Sequence, residues 1–123
     1  MNESDEDRLI GEWHELAKKV GAGAPVDLSA AAGVLDEVLR AFAPTLKGPK
    51  NREEILRCVA STRQLEKTWN LHLGKTLIDA GEAKKINDLE AALTILDRFA
   101  EQCPWSPFSK IARDQRSNYA AGY

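Results

Sequence analysis

His14, His72, Cys58 and Cys103 are the side chains of this 123-residue chain best suited to nucleophilic catalysis or metal binding. Their surroundings in the sequence argue against both. His14-Glu15 begins the metalloprotease string H-E-x-x-H, but Lys18 stands where the second histidine must be. The two cysteines lack the paired spacing of a zinc site and are too few for a disulfide framework, so they read as buried thiols. Gly74-Lys75-Thr76 matches the end of a phosphate-binding loop, yet Trp69 occupies the place of the first glycine in G-x4-G-K-[ST], and no strand precedes it. No G-x-S-x-G is present. The adjacent carboxylates Asp36-Glu37 and Glu53-Glu54 diverge on a helix and cannot converge on a substrate. The expectation is a non-enzymatic protein with no metal and no cofactor.

Composition narrows the remaining classes. Hydrophobic residues make up 43% and charged residues 29% of the chain, an ordinary globular balance. A chain of this length suits one domain, residues 1–123, with residues 1–5 expected to be flexible. The formal charge of −2 provides no field to attract nucleic acid or an anionic membrane. The N-terminal segment is acidic where a secretory signal is basic, and no apolar run is long enough to span a bilayer, so the expected location is cytoplasmic. Lys110, Arg113 and Arg116 give the tail a mildly basic face.

Apolar spacing assigns the elements that carry these residues. Leu9, Ile10, Trp13, Leu16, Ala17 and Val20 recur at helical intervals after the Ser4–Asp7 capping segment and stop at Gly21-Ala-Gly-Ala-Pro25. Asp27 or Ser29 can cap a second helix whose stripe is Ala31, Ala32, Leu35, Val38, Leu39 and Phe42, ended by Pro44. Asn51-Arg-Glu-Glu54 starts one long helix, about 52–80, with Gly81 as its C-terminal cap. Gly74 interrupts that helix and is expected to persist because a neighbouring backbone packs close. Asn87-Asp-Leu-Glu90 begins a fourth helix with a broad apolar face. Ser106-Pro107 provides a cap and first turn for a short fifth helix. No alternation of apolar and polar residues marks a strand. The predicted fold is all-α, about five helices, with two antiparallel α-hairpins around one long central helix plus a short C-terminal helix.

The hairpins resemble the tetratricopeptide repeat, W-x2-L-G-x2-Y, then A-x3-F, then P. Trp13-x2-Leu16-Ala17-x2-Val20 with Ala32 and Pro44 forms one unit; Asn70-x2-Leu73-Gly74-x2-Leu77, with Trp69 one place early, then Ala92-x3-Leu96 and Pro104, forms the other. The resemblance covers about half the chain, and the two copies are spaced more widely than the family's period of about 34 residues. It implies a scaffold that binds a protein or peptide against the polar positions of each unit's first helix. Those positions are His14 and Lys18 in the first unit and Leu71, Lys75 and Asp79 in the second.

The resulting expectation is a protein-protein interaction module, with His14, Lys18, Leu71, His72, Lys75, Ile78 and Asp79 lining a partner-binding groove. Three alternatives stay open: an immunity or antitoxin-like inhibitor, a small enzyme or ligand-binding domain using His72 or Cys58, and a self-associating structural protein. The basic face of the fifth helix is a rival surface.

Overall fold

The computed structural model describes residues 3–122; Met1, Asn2, Tyr123 and the Glu3 side chain lie outside that description. The elements are α1 (Glu3–Gly21), α2 (Leu28–Phe42), a single 3-10 turn at Arg52–Glu54, α3 (Ile55–Lys85), α4 (Leu89–Gln102) and α5 (Ser106–Ala120), with no strand among the described residues. The fold is all-α with five α-helices. Of the stretch expected to be flexible, Glu3, Ser4 and Asp5 belong to α1, which starts before the Ser4–Asp7 cap proposed from sequence, while Met1 and Asn2 are outside the described residues.

Side-chain caps explain where most helices begin. The Asp27 carboxylate accepts from the backbone N–H groups of Ser29 (2.9 Å) and Ala30 (3.3 Å), so Asp27 and not Ser29 is the cap of α2. Asn51 accepts from Glu54 N–H at 3.2 Å, while the Glu54 carboxylate accepts from Lys50 N–H at 2.8 Å, and α3 follows directly. α5 departs from expectation: Trp105 occupies the cap position but its side chain makes no capping hydrogen bond, and Ser106-Pro107 form the first helical positions. At 15 residues α5 equals α2 in length and is not short.

Left-handed residues explain where α1 and α3 stop. At Gly23, φ is +69°, and the N–H groups of Gly23 and Ala24 donate to the carbonyls of Val20 and Lys19. Asn87 (φ +63°) repeats the arrangement: its N–H donates to Lys84 O at 3.0 Å and the Asp88 N–H donates to Ala83 O at 2.9 Å. This corrects the sequence assignment of Gly81 as the cap. The helix continues through Gly81, where an added Cβ would meet only the Tyr119 hydroxyl at 3.6 Å. Asp88 then caps α4 by accepting from Ala91 N–H at 3.0 Å, so two adjacent residues close one helix and open the next.

The chain divides into two compact units, one extending to Leu65 and the other starting at Glu66; α3 contributes to both. In the first unit α1 packs on α2, burying Leu9, Trp13, Leu16 and Ala17 from one helix and Ala31, Leu35, Val38, Leu39 and Phe42 from the other. Arg8 bonds Glu12 at 2.8 Å and reaches Glu37 on α2 at 3.9 Å. In the second unit α4 is covered on two sides. Trp69 of α3 meets Phe99 edge-on at 5.7 Å, and α5 packs along α4, with Arg116 bonded to Asp97 at 3.1 Å. Leu73, Ala80, Ala92, Leu96, Phe99, Ala100, Cys103, Trp105 and Ala112 are the buried apolar residues described there. Among the described residues no buried side-chain polar atom lacks a hydrogen-bond partner.

Candidate functional site

The five α3 candidates share the outer side of that helix in the second unit. Leu71, Lys75 and Ile78 follow one another at helical intervals and are exposed; His72 and Asp79 lie beside them, His72 exposed and Asp79 half-buried. Leu73, Leu77 and Ala80 occupy the opposite, inward side. Leu71 keeps 77% and Ile78 62% of its surface in water, although both are large apolar side chains in a helix interior. His72 stacks at a tilt on Trp69, ring centroids 5.1 Å apart, and Trp69 is itself held by Phe99. Thr68, Leu71, His72 and Lys75 line a shallow depression of about 220 Å³.

His14 and Lys18 are exposed one turn apart on α1 and belong to the other compact unit. His14 has an interaction within the chain. Of the seven candidate residues, two stand on α1 and five on α3.

In the second unit Cys103 sits at the α4–α5 corner, where its thiol is hydrogen-bonded. The Cys103 thiol donates to Trp105 O at 3.5 Å, and Ser109 Oγ donates to Cys103 O at 3.1 Å, a closed set of contacts that pins the α4–α5 corner. Burial pushes the Cys103 thiol up, which keeps it protonated at neutral pH and a poor nucleophile. Cys58 is half-buried and both cysteines are free. Among the described residues, no group of three His, Cys, Asp or Glu side chains is placed to hold a metal ion. No helix there is long and apolar enough to cross a membrane.

Two features escaped sequence reasoning. Gly74 is exposed, and a Cβ built on it would meet nothing within 4 Å, so the close backbone neighbour expected from sequence is not found among the described residues. The second is a hollow of about 530 Å³ between α1 and α2, with Leu16, Ala31 and Val34 at its floor and Glu12, Glu15 and Lys19 among its rim residues. Gly11 and Ala30, which also line it, are the signal that could have found it, because small residues along paired helices leave space beside them. The rival basic face is reduced: Arg116 is committed to Asp97, leaving Lys110 and Arg113 exposed on α5.

Comparison with protein-family models, with curated proteins and with solved structures finds no match.

Proposed function

We propose that the chain is a non-enzymatic helical module that binds a protein or peptide partner, with the outer face of α3 as its docking surface. The observation that carries this reading is the exposure of Leu71 and Ile78, 77% and 62%, on one face of a helix whose opposite face supplies the buried side chains. Holding two large apolar side chains in water is unfavourable by about 25 cal/mol per Å² of apolar surface left wet, a cost that a docked partner removes. His72, Lys75 and Asp79 border the pair and provide hydrogen-bonding groups that orient what binds there. The tetratricopeptide-like pairing of helices supports the same reading, since such hairpins present their first helices to ligands. Free cysteines suit a reducing compartment, so the partner is sought in the cytoplasm. An immunity or antitoxin-like inhibitor is the narrower form of this proposal and uses the same face.

The test is capture from cytoplasm by the wild-type chain beside two double variants, Leu71→Asp with Ile78→Asp, and Lys18→Glu with Lys75→Glu. A protein retained by the wild type and lost from the first variant, at equal helical content, supports the reading. Retention at unchanged affinity by both variants overturns it.

The hollow between α1 and α2 favours a second reading, a binding site for a small apolar ligand. Its floor is apolar and its volume of about 530 Å³ falls in the range of ligand pockets. Fragment titrations followed by NMR decide it: shifts confined to Leu16, Ala31 and Val34 support it, and silence of those signals removes it.

A further inference from the structure

Lys67, Leu71, Gly74, Ile78 and Glu82 recur at intervals of three and four along α3, share one face and are all exposed. Three properties set this face apart from an ordinary solvated helix surface. Two of its members are the large apolar side chains already described. Its middle member is a glycine for which the described residues supply no close neighbour, although glycine within a helix is destabilising relative to alanine. Its charges are self-complementary: Lys67 and Glu82 stand equally far on either side of the Gly74–Lys75 peptide bond, and so do Leu71 and Ile78.

We propose that this face is an isologous interface between two copies of the chain, α3 packed antiparallel on α3 about a two-fold axis at Gly74–Lys75. The inference rests on the reading of the α3 outer face as a docking surface and names its occupant. An antiparallel two-fold pairing sets each Leu71 opposite Ile78 of the partner subunit and each Lys67 opposite Glu82 of the partner subunit, so every favourable contact occurs twice. Gly74 at the axis lets the two backbones approach, the role small residues play where helices cross closely. The parallel in-register alternative sets lysine against lysine and glutamate against glutamate, which like-charge repulsion disfavours. Charge complementarity therefore selects both the occupant and its direction.

The contact from Lys67 to Glu82 extends over about 22 Å of helix, which limits the area two helices can bury and makes the dimer weak and concentration-dependent. One group opposes it. Lys75 lies beside the axis, so the two copies bring their ammonium groups to the same side. This gives the proposal a sign-specific consequence: removing that charge tightens the dimer, whereas a partner recognised through Lys75 would be lost.

Sedimentation equilibrium of the full chain over a concentration series tests the proposal, with circular dichroism confirming that each exposed-site variant keeps its helices. The wild type is expected to shift from monomer toward dimer mass as concentration rises, and Leu71→Asp to weaken association by about tenfold or more. Lys67→Glu or Glu82→Lys alone should weaken it by roughly three- to tenfold, and the two together should restore it to within about twofold of wild type. Lys75→Ala should strengthen it. A monomer at every concentration overturns the two-copy interface, as does a double charge reversal no better than either single one. A monomer combined with capture of a different protein that is lost on Leu71→Asp with Ile78→Asp leaves the docking surface standing and replaces its occupant. Capture indifferent to those substitutions removes the docking surface itself.

Discussion

Leu35 and Leu71 are the same side chain in the interiors of two α-helices, α2 and α3, yet Leu35 is 0% exposed and Leu71 is 77% exposed. Around Leu35, α2 follows the usual division: Ala31, Val38, Leu39 and Phe42 turn inward, and Gly33, Asp36, Glu37 and Arg40 face water, with Arg40 bonded to Asp36 at 3.2 Å. Around Leu71, α3 buries Leu73 and Ala80 on one side and still carries Leu71 and Ile78 on the other. Folding accounts for every large apolar residue of the α2 interior. It leaves the outer pair of α3, Leu71 and Ile78, in water.

The largest expected effect breaks or upholds that contrast directly. Leu35→Ala should cost about 2–5 kcal/mol in chemical denaturation, the range for a buried leucine, while Leu71→Ala should fall within about 0.5 kcal/mol of wild type. Comparable losses at both positions would mean that Leu71 is covered in the folded chain. Next in size are the caps, which the two regions share. Asp27→Ala at α2 and Asp88→Ala at α4 should each lower stability by about 1 kcal/mol, because each carboxylate satisfies first-turn N–H groups. Equal losses locate the difference between the regions in their faces and not their ends.

Gly74→Ala should raise the stability of the monomer by about 0.5–1 kcal/mol, since the helix gains a better former and the added methyl meets nothing. A melting temperature that falls would show that α3 needs glycine for its own fold. The smallest effect concerns thiols. Labelling at neutral pH should modify half-buried Cys58 well before Cys103, whose raised pKa keeps it protonated. A folded-state pKa above the unfolded value means that the contribution of Cys103 to stability is complete below the ordinary thiol range and declines as pH rises through it, so alkaline melting should shift downward. Serine at Cys103 should reduce that decline.

The starts of α2, α3 and α4 were readable in the sequence, because a cap is a local device: Asp27, Asn51 and Asp88 act on N–H groups within three residues of themselves. Helix ends were harder. Gly81 carries the residue type of a terminator but is followed by Glu82-Ala-Lys-Lys85, good helix formers, and the left-handed turn falls instead at Asn87. Ser106 has the chemistry of a cap, yet the chain turns one residue earlier, at Trp105, whose ring is buried at the α4–α5 corner. Of the seven candidate residues, the five on α3 were readable as sharing one outer side because helical spacing alone implies it. Their assignment to a common groove with His14 and Lys18 depended on packing that spacing does not encode.

Periodicity and capping chemistry thus determined the all-α class and the five helices, since those follow from backbone hydrogen bonding and the 3.6-residue turn. Tertiary structure decided which apolar residues remain wet and whether a glycine has a neighbour. Leu35 and Leu71 have equal claims to the interior by type; helical spacing sets Leu71 on the outer side of α3, and the helix packed across from Leu35 covers it. Burial is a property of what lies across from a residue, and that partner comes from elsewhere in the chain.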